Sequence, residues 1–272
     1  MRALATPQIF VSPKPGERPE SCQDVGWLTT RVDGQGTCGF VVADGATGGW
    51  DGQLWAELVV DAVSQIIGSL EHEPEARWVE TDLVAALDRA RDRWDELHQD
   101  LEASDDPITA LAHAKFLSSG GYCTLTAGLL GPIDGPDLSL RAIAVGDSPI
   151  FHLRREGVSY RLVAAAPLSE SDAFDSSPAI VSSRRATAGE GVSGLTSVVF
   201  TPVEPGDVIL IVTDAIAEWA LRRHEDSAPV WSVLSTMDDR GFDQLLSMIR
   251  SAREIVADDV LVARFVVEAE HG

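Results

Sequence analysis

Apolar residues run along this chain in two rhythms. Val25 to Arg31, Gly39 to Ala43, Tyr122 to Leu130, Leu138 to Val145, Ile150 to Arg154, Val158 to Val163, Thr196 to Phe200, Val208 to Val212 and Val260 to Val267 are short apolar and β-branched runs, and each predicts a strand. Turn-forming residues separate them at Asp33-Gly34-Gln35-Gly36, Gly131-Pro132, Gly135-Pro136, Gly146-Asp147, Glu156-Gly157 and Pro205-Gly206-Asp207. The second rhythm is helical. Leu54, Leu58, Ala62, Ile66 and Leu70 recur every fourth residue, with Trp55, Val59 and Val63 widening the face. Leu83, Leu87, Ala90, Trp94, Leu97 and Leu101 predict a helix over 82–103, with Arg89, Arg91, Asp92, Arg93, Asp95 and Glu96 on its wet side. A further helix is predicted over 242–253. Pro7, Pro13, Pro15 and Pro19 make the opening segment extended, and 164–195, rich in Ala, Ser, Pro and Gly, reads as an irregular surface segment. This order is that of antiparallel sheets with flanking helices, an α+β fold, rather than of βαβ units. No repeat or linker divides the chain, so 1–272 is expected to form a single domain.

Charge narrows the functions open to such a fold. The chain has 21 Lys and Arg against 43 Asp and Glu, a formal charge of −22. That surface repels a phosphate backbone, so nucleic acid is excluded as a partner. It favours divalent cations and substrates with basic flanks. Cys22, Cys38 and Cys123 are scattered without a C-x-x-C pair, against a disulfide framework or a structural zinc site, and a reducing, cytoplasmic setting is expected. No run approaches the roughly 18 apolar residues of a membrane helix, and the first residues lack a signal peptide's apolar stretch. The six histidines form no ligand spacing, Trp55 and Trp94 read as core, and Cys123 as a buried small hydrophobe.

Candidate chemistry lies in acids placed where strands end. Asp24 precedes the first strand, Asp44 ends Val41-Val42-Ala43, Asp147 follows Val145-Gly146, Asp214 follows Ile209 to Thr213, and Asp258-Asp259 precede the last strand. One Asp before Gly is ordinary turn chemistry. Five such places suggest convergence, and carboxylates gathered at a sheet edge repel one another unless a cation neutralises them. Oxygen donors without Cys or His suit Mg²⁺ or Mn²⁺.

The same stretches resemble the PPM (type 2C) metal-dependent protein phosphatases. Val42-Ala43-Asp44-Gly45-Ala46-Thr47-Gly48-Gly49 resembles the family's V-A-D-G element and Gly-Gly loop, and Gln23-Asp24 its acidic N-terminal element. Ala144-Val145-Gly146-Asp147-Ser148 is similar to its V-G-D-S strand pair. Pro205-Gly206-Asp207 through Asp214-Ala215-Ile216-Ala217-Glu218 is similar to its G-D…S-D-G-L-x-D/E element, and Asp258-Asp259-Val260-Leu261-Val262 to its closing D-N-x-T-x-V. The resemblance implies a four-layer α-β-β-α sandwich of two antiparallel sheets, with a variable flap at 164–195. It implies a Ser/Thr phosphatase acting on phosphorylated proteins in opposition to a bacterial kinase, with two Mn²⁺ or Mg²⁺ ions. Carried over, Asp44 and the Gly45 carbonyl, with Asp214 and Asp258, would hold the two ions, Asp24 would orient water, and Asp147 and Glu218 match positions that hold a weaker third ion. The family's phosphate-clamping Arg falls on Pro19, leaving Arg18, one residue away, or Lys14. Ala215 replaces a Gly, Pro149 an Arg, and Asp259 an Asn, so Asp258 and Asp259 both remain candidate ligands. Two other readings stay open: a sandwich that binds phosphoproteins without turnover, and a structural protein whose acids only form turns.

Overall fold

A computed structural model of the chain describes residues 3–30, 37–69, 80–99, 107–133, 137–174, 177–185 and 192–269. Its strands are β1 (Ala3–Ser12), β2 (Asp24–Thr29), β3 (Cys38–Asp44), β4 (Tyr122–Cys123), β5 (Leu125–Gly131), β6 (Ser139–Val145), β7 (Ile150–Glu156), β8 (Ser159–Ala166), β9 (Val181–Ser182), β10 (Leu195–Phe200), β11 (Val208–Val212) and β12 (Val260–Ala269). Its helices are α1 (Gly52–Ser69), α2 (Glu80–His98), α3 (Pro107–Ser119), α4 (Asp214–Glu225), α5 (Val230–Thr236) and α6 (Asp239–Ser251). The predicted turns at 33–36 and 135–136, Leu70 and the end of the second predicted helix lie outside the described residues.

Two five-stranded antiparallel sheets form, ordered β1-β12-β11-β7-β8 and β10-β6-β5-β3-β2. They pack face to face because their strands are apolar on both sides. In β11, Ile209 and Ile211 enter the core between the sheets with Phe40, Val42 and Phe265. Val208, Leu210 and Val212 alternate outward, against Ile216, Trp231 and Leu246 of α4, α5 and α6. Likewise Val41 and Ala43 of β3 leave the inter-sheet core and meet Trp55 and Val59 of α1 and Leu87 of α2. Helices on both outer faces complete the expected four-layer α-β-β-α sandwich.

Register differs from the sequence reading in α1. Its buried face is Trp55, Ala56, Val59, Val60, Ala62, Val63 and Ile67, while Leu54, Leu58 and Ile66 are half-buried. The indole of Trp55 fixes this rotation: it meets Trp94 of α2 edge-on at 5.7 Å and donates to the Val181 carbonyl at 3.0 Å. In α2, Leu83, Leu87, Ala90 and Trp94 are buried as expected, but Leu97 is exposed, and His98 takes the inward position, bonded to Trp50 and Trp94.

Candidate active site

Antiparallel pairing decides where the acids go. Since neighbours run in opposite directions, the ends of β1, β3, β6 and β11 and the starts of β2, β5, β7 and β12 all lie at one edge of the sandwich. Asp24 and Asp44 face each other as cross-strand partners in the second sheet. Asp147 stands on the β6–β7 turn, Asp214 opens α4 directly after β11, and Asp258 precedes β12. Asp44, Gly45, Asp147, Asp214 and Asp258 line one cavity of about 500 Å³ together with Lys14, Thr124 and Tyr122. Ser177, Pro178 and Ile180, from the irregular segment, also line it.

The local sequence explains this placement. Gly45 backs onto the start of α1: a Cβ there would lie 2.6 Å from the Gly52 carbonyl oxygen, so only glycine lets the chain turn from β3 into the helix. Gly146 adopts a φ of +101°, which carries the chain from β6 round to Asp147. Ser148 then pins that turn, its hydroxyl 2.9 Å from the Thr124 hydroxyl and its carbonyl accepting from Thr126 at 2.6 Å. Thr213 ties the two sheets at this edge. Its hydroxyl donates to Asp24 Oδ2 at 2.8 Å and accepts from the Leu261 N–H at 2.9 Å.

Crowding leaves an electrostatic signature. Burial, then the charges of Asp214, Asp258 and Asp147, push the Asp44 carboxyl up to about 8. Burial and Asp44 drive Asp24 well above the carboxylate range, against the opposing bond from Thr213. Burial and Asp258 raise Asp214. Among the described residues no three His, Cys, Asp or Glu side chains are gathered tightly enough to hold a metal ion as they stand. Lys14 lies against Asp258 at 3.0 Å. The donors nevertheless fit a hard divalent cation: carboxylate and backbone oxygens facing one cavity, with Asp44 and Asp214 ionised at a cost that a cation would offset.

The two C-terminal acids divide clearly. Asp259 is 2% exposed, and its two oxygens accept from the backbone N–H groups of Lys14 at 2.8 Å and Gln23 at 3.0 Å. Asp258 faces the cavity, its backbone carbonyl held by Arg250 at 3.0 Å. Asp259 is thus a latch on the β1–β2 loop, and Asp258 is the acid presented to the cavity. Glu218 lies one turn along α4, paired to Arg222 at 3.0 Å and near enough to raise Asp214, but does not line the cavity. Arg18 precedes the short 3-10 turn Pro19–Ser21, is exposed, and is absent from the cavity wall, where Lys14 stands instead. Sequence reasoning missed Thr213; its signal was a hydroxyl residue between a buried strand and a candidate acid.

Ala215 lies inside α4 without positive φ, so the Gly replaced there is not required by the backbone.

No family model and no curated protein matches the chain. Solved structures do. A serine/threonine phosphatase of Mycobacterium tuberculosis, PstP/Ppp, superposes with a TM-score of 0.60 at 14% identity, covering 98% of this chain and 100% of that one. The serine/threonine phosphatase of S. agalactiae gives 0.58 at 16% identity, over 97% and 100%. The catalytic domain of PstP solved with two manganese ions gives 0.59 at 15% identity, over 98% and 100%. At these identities the likeness speaks for the architecture, and in its described residues this chain has the α-β-β-α sandwich fold of the bacterial PPM-type serine/threonine phosphatases.

Proposed function

We propose that this protein is a metal-dependent phosphatase that hydrolyses phosphoserine and phosphothreonine esters of proteins phosphorylated by a Ser/Thr kinase. The observation that carries the reading is the convergence of Asp44, Asp147, Asp214 and Asp258, from four separated stretches of chain, on one cavity. Their mutual repulsion gives that convergence no structural benefit. Asp44, the Gly45 carbonyl, Asp214 and Asp258 are the groups to hold two Mn²⁺ or Mg²⁺ ions, with Asp147 and Glu218 the candidates for a third. Bound divalent ions supply Lewis acidity, making water nucleophilic near neutral pH and offsetting charge on the phosphoryl oxygens. Asp24, held by Thr213 and paired across the strands with Asp44 but not itself on the cavity wall, is the candidate to orient the attacking water.

The test is hydrolysis of p-nitrophenyl phosphate by the full chain with Mn²⁺, with EDTA, and in Asp44→Asn and Asp214→Asn. Activity is expected to require the metal and to fall at least about a hundredfold in each variant. Turnover that survives EDTA, or that both variants retain, would sink the proposal.

A further inference from the structure

Among the described residues lining the acidic cavity, Lys14 is the one cation. Its backbone is fixed by the Asp259 latch, and its side chain, 19% exposed, reaches Asp258 Oδ1 at 3.0 Å and Gln23 Oε1 at 3.5 Å. The choice of residue is informative. Of 21 basic residues in the chain only Lys14 and Lys115 are lysines. An arginine fork would be held bidentately by a carboxylate, whereas an ammonium is a compact point charge on a flexible stem that exchanges partners readily.

Asp258 cannot serve an ammonium and a divalent ion equally, because the ion would repel the ammonium at such short range. A displaced Lys14 remains tethered at the cavity, where the other incoming charge is the phosphoryl group. Resting on the phosphatase reading, we infer that Lys14 is an exchangeable counter-ion. It holds Asp258 before metal binds, yields that carboxylate to the metal, and then binds the phosphoryl oxygens of the substrate. Metal and phosphate therefore strengthen each other's binding through one side chain, and the coupling is reciprocal.

The inference fixes two opposite signs for a single substitution, both read by calorimetry on the full chain. Mn²⁺ is titrated into metal-free protein, and inorganic phosphate into Mn²⁺-loaded protein. In Lys14→Ala the competitor for Asp258 is gone, so Mn²⁺ affinity rises about three- to tenfold. The phosphate partner is also gone, so phosphate affinity falls about tenfold. Lys14→Arg keeps the charge and restores most of the phosphate affinity, which separates this role from any disturbance of the loop. Weaker or unchanged Mn²⁺ binding in Lys14→Ala, as a purely structural role would give, overturns the inference. So does unchanged phosphate affinity, or a wild type that binds neither ligand. If binding follows the expected pattern but p-nitrophenyl phosphate is not hydrolysed, the phosphatase reading falls and the assignment of Lys14 stands.

Discussion

Single side chains at the two ends of the sandwich show how differently a buried carboxylate behaves with and without partners. Asp207, at the end opposite the cavity, is 1% exposed and fully paired. It takes hydrogen bonds from Arg154 at 3.1 and 3.0 Å and from the Glu204 N–H at 2.8 Å, and lies 2.7 Å from His152 Nε2. Burial alone would raise its carboxyl, but the His152 and Arg154 bonds hold it down at about 2. A folded-state value below the unfolded one means stability that is present above pH ~4 and lost as pH falls towards ~2. That contribution is on the order of 2 kcal/mol. Denaturant titrations at stepped pH should show this acid limb in the wild type and not in Asp207→Asn. At pH 7 the variant should lose about 2 kcal/mol, since the charge-assisted bonds from Arg154 are weakened while Arg154 keeps Glu204 at 3.1 Å. An unchanged limb would remove Asp207 from this role. Asp44 is the converse: half-buried on the cavity wall, ringed by other acids, and pushed up to about 8. The contrast separates an acid satisfied by its protein partners from one whose charge the proposed cation would offset.

At the scale of elements, β3, the loop after it and α1 act as one unit, and Gly45 is its pivot. Gly45→Ala would drive a methyl to 2.6 Å from the Gly52 carbonyl oxygen, a backbone atom that moves only with the helix. A loss of about 1–3 kcal/mol in chemical denaturation is expected, with a larger proportional fall in Mn²⁺-dependent turnover because Asp44 moves with the strand. A variant as stable and active as wild type would mean that the loop yields freely. What was legible in the sequence follows the same division. Strands buried on both faces, such as Val208–Val212 and Cys38–Asp44, appear as continuous apolar runs, and the acids that end them were readable for that reason. Asp24, Asp44, Asp147, Asp214 and Asp258 came from such run-ends. Other elements were hidden. α4 begins at Asp214, where the reading stopped at the end of a strand, and α5 spans only Val230–Thr236. α3 has no single apolar face: Ile108, Leu111 and Leu117 are exposed while Phe116 stacks on His98. The run 122–130 breaks at Thr124, whose N–H turns aside to the Asp44 carbonyl and lets β4 pair with β9. Arg18 and Lys14 were undecided because the β1–β2 loop, with Pro13, Pro15 and Pro19, carries no period; only the Asp259 latch selects which cation enters the cavity.

Over the whole molecule, a charge of −22 surrounds a cavity whose proposed substrate is itself anionic. Unaided, such a field slows the approach of a phosphoprotein and concentrates divalent cations, so bound metal and Lys14 must reverse it locally. The far field then acts on the parts of the substrate outside the cavity. A phosphopeptide flanked by Arg and Lys is drawn in, while one with neutral flanks is not, and the attraction is screened once the Debye length falls below the contact distances. Raising ionic strength from about 0.05 to about 0.3 M should therefore lower kcat/KM for the basic peptide severalfold, through KM and not kcat. With p-nitrophenyl phosphate, which touches only the cavity, the same change should have little effect. Equal salt dependence for both substrates would place the decisive charges inside the cavity and leave the acidic surface with a role in solubility alone.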